Sequence, residues 1–184
     1  MILMNRSPAK GLDLNVPVPV VTIIARSGTG KTTLLEKLIA ELKRRGYRVG
    51  AIKHDAHNFE IDRTGKDSWR LTQAGADTTV ISSRDKLAMV KQYDPNDEPT
   101  VVDTVQSYFQ DVDLVLTEGF KKSPMPKIEV HRRERCEPLL CRGEEYDPAL
   151  IAVASDSELN VDVPLFNIDD SQGICDFIIA RYLA

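Results

Sequence analysis

Hydrophobic and polar residues follow one another in blocks that predict strands and helices in turn. A continuous β-branched run at 18–25 (VPVVTIIA) predicts a strand that is buried on both faces. After a glycine-rich turn, the segment 32–45 places apolar residues at helical spacing, namely Leu34, Leu35, Leu38, Ile39 and Leu42. The pattern therefore predicts a buried strand, a turn and an amphipathic helix in direct succession.

The rest of the chain repeats this alternation. Further strands are predicted at 47–53, 112–119, 127–132, 149–155 and 163–168, and helices at 67–74, 98–110 and 170–184. The helix at 98–110 is predicted to carry Pro99 in its first turn. Two runs at 77–83 and 86–93, separated by a tight connection, predict an antiparallel hairpin. Alternating strands and helices favour an α/β fold, with a mostly parallel sheet flanked by helices.

Composition narrows the class of protein. A chain of 184 residues is most simply one domain, placed here at 19–184, after a poorly ordered N-terminal extension at 1–18. A net charge of −4 argues against a nucleic-acid-binding protein. No apolar run reaches the roughly 18 residues that a membrane span needs, and the N-terminus does not have the pattern of a signal peptide. Together with three cysteines, which we interpret as reduced thiols, this favours a cytoplasmic protein.

The turn between the first strand and the first helix, ARSGTGKTT at 25–33, is close to a phosphate-binding loop. That motif has glycine, four free positions, and then glycine, lysine and a hydroxyl residue, and only its first glycine is replaced here, by Ala25. A methyl group is tolerated at that position if the φ angle stays negative. The loop and the helix N-terminus predict a triphosphate site made of Ser27, Gly28, Thr29, Gly30, Lys31, Thr32 and Thr33. Lys31 would meet the β- and γ-phosphates, and Thr32 would bind Mg²⁺.

A second acidic element is predicted at the end of the strand at 112–119. Enzymes with this loop place a carboxylate at the end of a neighbouring buried strand, where it orders the metal's water shell. Glu118 is in that position, whereas Asp113 lies at the opposite end of the same strand. We therefore assign the magnesium site to Thr32 and Glu118, and the catalytic group to Lys31 and Glu118.

Four segments give the chain a family resemblance. They are SGTGKTTLLEKLI (27–39), GAIKHDAHNFEIDRTGKDSWRLTQAGA (50–76), DLVLTEGFK (113–121) and IAVASD (151–156), and in this order they resemble the molybdopterin-guanine dinucleotide biosynthesis adaptor (MobB) family. The resemblance covers about residues 18–184. The Lys-His pair after the second strand and the stretch from Asp62 to Ser68 are its most specific parts. Composition and spacing alone lead only to a nucleotide-binding protein.

The resemblance implies a GTP-binding protein with a weak, Mg²⁺-dependent GTPase activity. It also implies a homodimer that assists the MobA-type guanylyltransferase, the enzyme that joins GMP to molybdopterin. Asp62 and Asp67 are implied to lie near magnesium or the attacking water. Because the Asn-Lys-x-Asp guanine motif is absent, we assign the guanine base to Asp156, with help from Ser155, at the end of a buried strand.

Other interpretations of the same residues stay open. His54, Asp55, His57 and Asp62 crowd one loop that could hold a metal ion, and His131, Cys136 and Cys141 are a weaker zinc candidate. A basic stretch follows Glu118 and is either a solvated face or a surface for an anionic partner: Lys121, Lys122, Lys127, Arg132, Arg133 and Arg135. A small-molecule kinase and a metallochaperone GTPase are the alternative functions. The first lacks a convincing arginine-bearing lid, and the second lacks a convincing ligand set.

Overall fold

The structure is a computed structural model, and it describes residues 16–54, 59–94, 96–143 and 146–184. The chain divides into two compact units, Met1–His54 with Val101–Ala184 as the first and Asp55–Thr100 as the second. Most of the predicted N-terminal extension, residues 1–15, lies outside the described residues, so its assignment stays a prediction.

The elements alternate between strand and helix as the sequence pattern predicts. In chain order they are β1 (Val20–Ile24), α1 (Lys31–Arg44), β2 (Val49–Lys53), α2 (Asp67–Gln73), β3 (Thr78–Ser82), β4 (Leu87–Lys91), α3 (Val101–Tyr108), β5 (Leu114–Glu118), β6 (Lys127–His131), β7 (Leu150–Ser155), β8 (Leu165–Asn167) and α4 (Ser171–Tyr182). Most elements are one to three residues shorter than the segments predicted for them. Pro99 precedes α3, which begins at Val101, instead of lying in its first turn.

The first unit is built on a six-stranded sheet in the order β2-β5-β1-β6-β7-β8. Every pairing in it is parallel, so the predicted α/β class is confirmed. β1 lies between β5 and β6, strands that come much later in the sequence. The loops that leave β1, β5 and β6 therefore meet at one edge of the sheet, where open α/β sheets bind their ligands.

The two faces of β1 pack against different helices because successive side chains of a strand point in opposite directions. Val21, Ile23 and Ala25 belong to a core cluster that also holds apolar residues of α1 and α4. Val20 belongs to a second cluster, which includes Val101 and Val105 of α3. The sheet is thus covered on both faces, as the continuous apolar run of β1 predicts.

The second unit holds α2 and a two-stranded antiparallel sheet of β3 and β4. The hairpin predicted at 77–93 is therefore confirmed. Across the pair, Val80 faces Met89 and Ser82 faces Leu87, which places these residues on one face of the hairpin. The apolar side chains of that face, Val80, Leu87 and Met89, are exposed in the single chain.

No helix within the described ranges combines the length and the apolar character that a membrane crossing requires.

Candidate nucleotide-binding site

The loop between β1 and α1 has the backbone that phosphate binding requires. Ala25 is almost fully buried in the core and does not have a positive φ, so the condition for replacing the first glycine is met. Gly28 and Gly30 have φ angles of 74° and 93°, in the left-handed region that favours glycine. Gly30 directly precedes α1 and is its N-cap. The N–H groups and the positive end of the helix dipole at this terminus form an anion site.

Lys31 places its amine over this loop. The Nζ atom donates to the carbonyl oxygen of Arg26 at 3.1 Å, and the Thr29 hydroxyl donates to the same oxygen at 2.9 Å. Burial lowers the pKa of Lys31, Glu118 opposes this shift, and the nearby cations Lys121 and Lys53 lower it further. A cluster of positive charge therefore surrounds the loop, which suits a polyanionic ligand.

Thr32 and Glu118 meet directly across two elements. The Thr32 Oγ1 atom donates to Glu118 Oε2 at 2.9 Å. Glu118 is the last residue of β5, which pairs with β1 through Ile23 and with β2 through Lys53. A hydroxyl and a carboxylate, both oxygen donors, fit Mg²⁺ together with water and phosphate oxygens. The structure therefore brings the two residues of the predicted magnesium site together.

Ser155 and Asp156 follow β7 at the same edge of the sheet. The Ser155 hydroxyl is buried and lies 3.2 Å from both His131 Nδ1 and Ser157 Oγ. One oxygen of Asp156 accepts from the Arg133 N–H at 2.8 Å, and the other lies 3.4 Å from Arg132 Nη1. These two contacts, the N–H first, lower the pKa of Asp156 against the opposing effect of burial. The carboxylate therefore stays ionised, and this is the form that can accept hydrogen bonds from guanine with both oxygens.

Asp62 and Asp67 belong to the second unit. Asp62 is a local turn residue whose Oδ1 accepts from the Arg63 N–H at 2.8 Å. Asp67 lies in the first turn of α2, is almost fully exposed, and is 3.7 Å from Arg70. Their role near magnesium or the attacking water stays a prediction.

Two arginines next to the loop were not assigned to the site by the sequence. Arg132 donates from Nε to the carbonyl oxygen of Thr29 at 3.3 Å, and Arg135 donates from Nη2 to that of Gly28 at 3.3 Å. The sequence shows that the stretch after Glu118 is basic, but not which of its cations point toward the loop. The register of β6 next to β1 determines this.

Lys127 has to be removed from the predicted basic surface. Its side chain is only 1% exposed, and its Nζ donates to Asp147 Oδ2 at 2.7 Å and to the carbonyl oxygen of Ser123. Lys127 is the first residue of the buried strand β6, so a carboxylate from a later loop has to neutralise it inside the protein.

The histidine and cysteine candidates for metal binding are spread out in the described structure. His131 contacts Ser155 and the carbonyl oxygen of Glu137, and Cys136 is exposed. Cys141 is buried, and burial followed by the charges of Glu129 and Asp147 raises its pKa to about 12. The described residues contain no group of three or more His, Cys, Asp or Glu side chains that could hold a metal ion. Asp55 and His57 lie outside the described residues, so the first metal candidate stays untested.

Cys175 is fully buried in the core between α1 and α4. All three cysteines are free thiols.

Comparison with known proteins relates this site to one family. The family model described as "Molybdopterin guanine dinucleotide synthesis protein B" (MobB) matches residues 20–156. The chain is 40% identical over 171 residues to a molybdopterin-guanine dinucleotide biosynthesis adapter protein of Haemophilus influenzae, with 92% of each chain covered. It is 41% identical over 167 residues to the protein of that name from Escherichia coli, with 88% of this chain and 92% of the relative covered.

The solved structures agree with the sequence comparison. A crystal structure of molybdopterin-guanine biosynthesis protein B superimposes with a TM-score of 0.70 at 29% identity, and the match covers 88% of this chain and 98% of that one. The family match contains the phosphate loop, Glu118 and Asp156. The chain belongs to the molybdopterin guanine dinucleotide synthesis protein B (MobB) family.

Proposed function

We propose that this protein binds GTP and Mg²⁺, hydrolyses GTP slowly, and serves as an adaptor in the synthesis of molybdopterin guanine dinucleotide. The observation that carries the proposal is the meeting of Lys31, Thr32 and Glu118 at one edge of the sheet, with Thr32 and Glu118 in direct hydrogen-bond contact. The MobB relatives, named as adapter proteins of this synthesis, supply the pathway.

Different groups of the site would bind different parts of the triphosphate and its metal ion. The backbone N–H groups of 27–33 surround the phosphates, and the Lys31 amine neutralises the β- and γ-phosphates. Thr32 and Glu118 would hold the magnesium ion and its waters. When bound, that ion neutralises charge on the phosphates. Slow hydrolysis fits this proposal, because the residues assigned here mainly position the phosphates and the metal ion.

Asp156 is the residue that we propose for recognition of guanine. A carboxylate accepts two hydrogen bonds from the N1–H and 2-amino groups of guanine, which adenine cannot offer. Its place at the end of β7 puts it at the same edge of the sheet as the phosphate loop. The contact with Arg132 Nη1 is long, at 3.4 Å, so exchanging it for a base donor costs little.

The adaptor role requires protein partners. We propose the guanylyltransferase that joins GMP to molybdopterin, and molybdopterin itself, as the partners, because the relatives are named for this synthesis. We also propose a homodimer. The exposed apolar face of the hairpin, formed by Val80, Leu87 and Met89, supports an interface with a second copy.

A reconstituted reaction tests the adaptor role. Formation of the guanine dinucleotide cofactor by purified guanylyltransferase is measured with GTP, Mg²⁺ and molybdopterin, in the presence of this protein or of its Lys31→Ala variant. We expect the wild-type protein to raise the yield and the variant to lose that effect. Equal stimulation by both would contradict a role that depends on nucleotide binding, and no stimulation by either would contradict the adaptor role.

A further inference from the structure

The segment after β6 brings two guanidinium groups to the phosphate loop. Arg135 donates to the carbonyl oxygen of Gly28 and Arg132 to that of Thr29, each at 3.3 Å. A three-residue 3-10 turn, Arg133–Arg135, sets the direction of these side chains. The loop between the two glycines is therefore in contact with arginines from a segment more than 100 residues away in sequence.

The Arg135 guanidinium group packs against the backbone of Gly28, which has no side chain. A Cβ atom built on Gly28 would lie 2.2 Å from Arg135 Nη2 and 3.3 Å from its Cζ, which is closer than atoms can pack. The corresponding atom on Gly30 would lie 3.6 Å from Arg132 Nη2. The positive φ of Gly28 favours glycine, and a side chain at this position would displace the Arg135 guanidinium group from its present place.

The two arginines differ in how their charge is balanced. Arg132 lies 3.4 Å from the carboxylate of Asp156, whereas Arg135 forms no ion pair with any residue that the structure describes. The contact of Arg135 with Gly28 is one long hydrogen bond to a neutral oxygen. A guanidinium group has five N–H donors, so most of those on Arg135 are available for another acceptor.

Phosphate is the acceptor that fits these donors. Guanidinium groups bind phosphate oxygens through two parallel hydrogen bonds, and the residues that Arg135 touches belong to the part of the loop that surrounds the α- and β-phosphates. A structural tether would need a carboxylate or several short bonds, and Arg135 has neither among the described residues.

We propose that Arg135 binds the phosphate chain of the nucleotide from within the same chain. The proposal rests on the proposed nucleotide site and adds to it a binding residue from outside the phosphate loop. Arg135 acts at the α- and β-phosphates, so it contributes to the binding of GDP as well as GTP.

Three variants test this role. Arg135→Ala removes the guanidinium group, and Arg135→Lys keeps the charge but loses the planar pair of donors. Arg133→Ala is the matched control, because it removes the same charge from the same turn while its backbone N–H still donates to Asp156. Dissociation constants for GTP and GDP are measured by calorimetry with Mg²⁺, and circular dichroism shows whether each variant is folded.

We expect Arg135→Ala to weaken the binding of GTP and of GDP by about tenfold or more, because a hydrogen bond to a charged group is lost. Arg133→Ala should weaken the binding of either nucleotide by less than about threefold. Arg135→Lys should recover part of the loss. If Arg135→Ala binds both nucleotides as Arg133→Ala does, the proposal is overturned while nucleotide binding itself stands. If the wild-type protein binds neither nucleotide, the underlying site fails instead.

Discussion

At the scale of single residues, Thr32 and Glu118 are the pair to which we assign magnesium binding. They are 86 positions apart in sequence, yet their side chains are 2.9 Å apart because β5 pairs with β1 in the sheet. Neither residue is a strong ligand alone. Together they offer the oxygen atoms that a hard cation prefers.

Glu118→Gln should weaken Mg²⁺-dependent GTP hydrolysis more than it weakens GTP binding. The amide keeps the shape of the side chain but removes the charge that orders the metal's waters, and changes of this kind cost about 10- to 100-fold in metal affinity or activity. Hydrolysis rates across a Mg²⁺ titration measure the effect. Glu36→Gln, on the exposed face of α1, is the control. If Glu118→Gln hydrolysed GTP at the wild-type rate and with the wild-type Mg²⁺ dependence, another carboxylate would have the role assigned to Glu118.

Asp156→Asn should lose affinity for GTP and gain affinity for XTP. An amide suits the carbonyl at position 2 of xanthine, whereas it gives up one of the two hydrogen bonds to guanine. The loss for GTP should be about 1–3 kcal/mol, the cost of an unpaired buried polar group. Competition binding of GTP against XTP measures the change, with Glu158→Gln, two residues further on, as the control. An undiminished preference for GTP would mean that another residue recognises the base.

The sequence predicts the residues of the phosphate loop but not all their neighbours. Lys31, Thr32 and Glu118 can be found because each is fixed by a motif or by the end of an apolar run. Arg135 cannot, because only the pairing of β6 with β1 directs it to Gly28. Lys127 shows the opposite case, since a lysine in a basic stretch is predicted to be solvated and is instead buried against Asp147.

At the scale of elements, the class of each segment follows from the sequence while its place in the sheet does not. The β-branched run of β1 and the apolar face of α1 are predicted correctly because burial dictates their periodicity. The position of β5 between β1 and β2 depends on long-range pairing, which has no local signal. Yet this position carries Glu118 to the loop.

The C-terminal end of α1 is held by a charged cluster centred on Glu41. This buried carboxylate accepts from Arg44 Nη2 at 2.7 Å and from Arg45 Nε at 2.6 Å, and Arg45 also pairs with Asp176 of α4. The hydrogen bond from Arg44, then that from Arg45, lowers the pKa of Glu41 from 4.5 to about 2. The cluster therefore links α1, which begins at the phosphate loop, to α4.

Glu41→Gln should lower the free energy of unfolding, and the difference from wild type should depend on pH. The folded-state pKa lies below the ordinary value, so the carboxylate stabilises the fold fully above pH 4.5, and this contribution is lost as the pH falls toward about 2. Urea unfolding at a series of pH values between 7 and 2 measures it. Glu36→Gln should show no such trend. A destabilisation that is constant across this range would contradict the charged cluster.

At the scale of the whole molecule, the chain combines a sheet that fits a nucleotide with a separate hairpin unit that exposes apolar side chains. Val80 is 50% and Leu87 66% exposed, although both are apolar residues of regular strands. Exposed apolar faces of this kind mark sites of protein association. The first unit thus carries the proposed nucleotide chemistry, and the second exposes the apolar face that we propose as an assembly surface.

The hairpin face should be the interface of a homodimer. We expect the wild-type protein to sediment as a dimer in analytical ultracentrifugation, and Val80→Lys with Leu87→Lys to shift it to the monomer by placing charges in an apolar contact. Gln92→Lys, an exposed residue just after β4, is the control. A dimer that survives the double substitution would place the interface elsewhere, and a wild-type monomer would contradict the proposed dimer.

Titration calorimetry of GTP and ATP with Mg²⁺ tests the central claim most directly, with wild-type protein, Lys31→Ala, and Lys43→Ala as a control on the exposed face of α1. The wild-type protein and Lys43→Ala should bind GTP at least about tenfold more tightly than ATP. Lys31→Ala should bind GTP at least about tenfold more weakly than the wild-type protein, because the hydrogen bonds from the lysine to the charged phosphates are lost. Binding of GTP that is unchanged in Lys31→Ala, or equal binding of ATP and GTP by the wild-type protein, would contradict a GTP site at this loop.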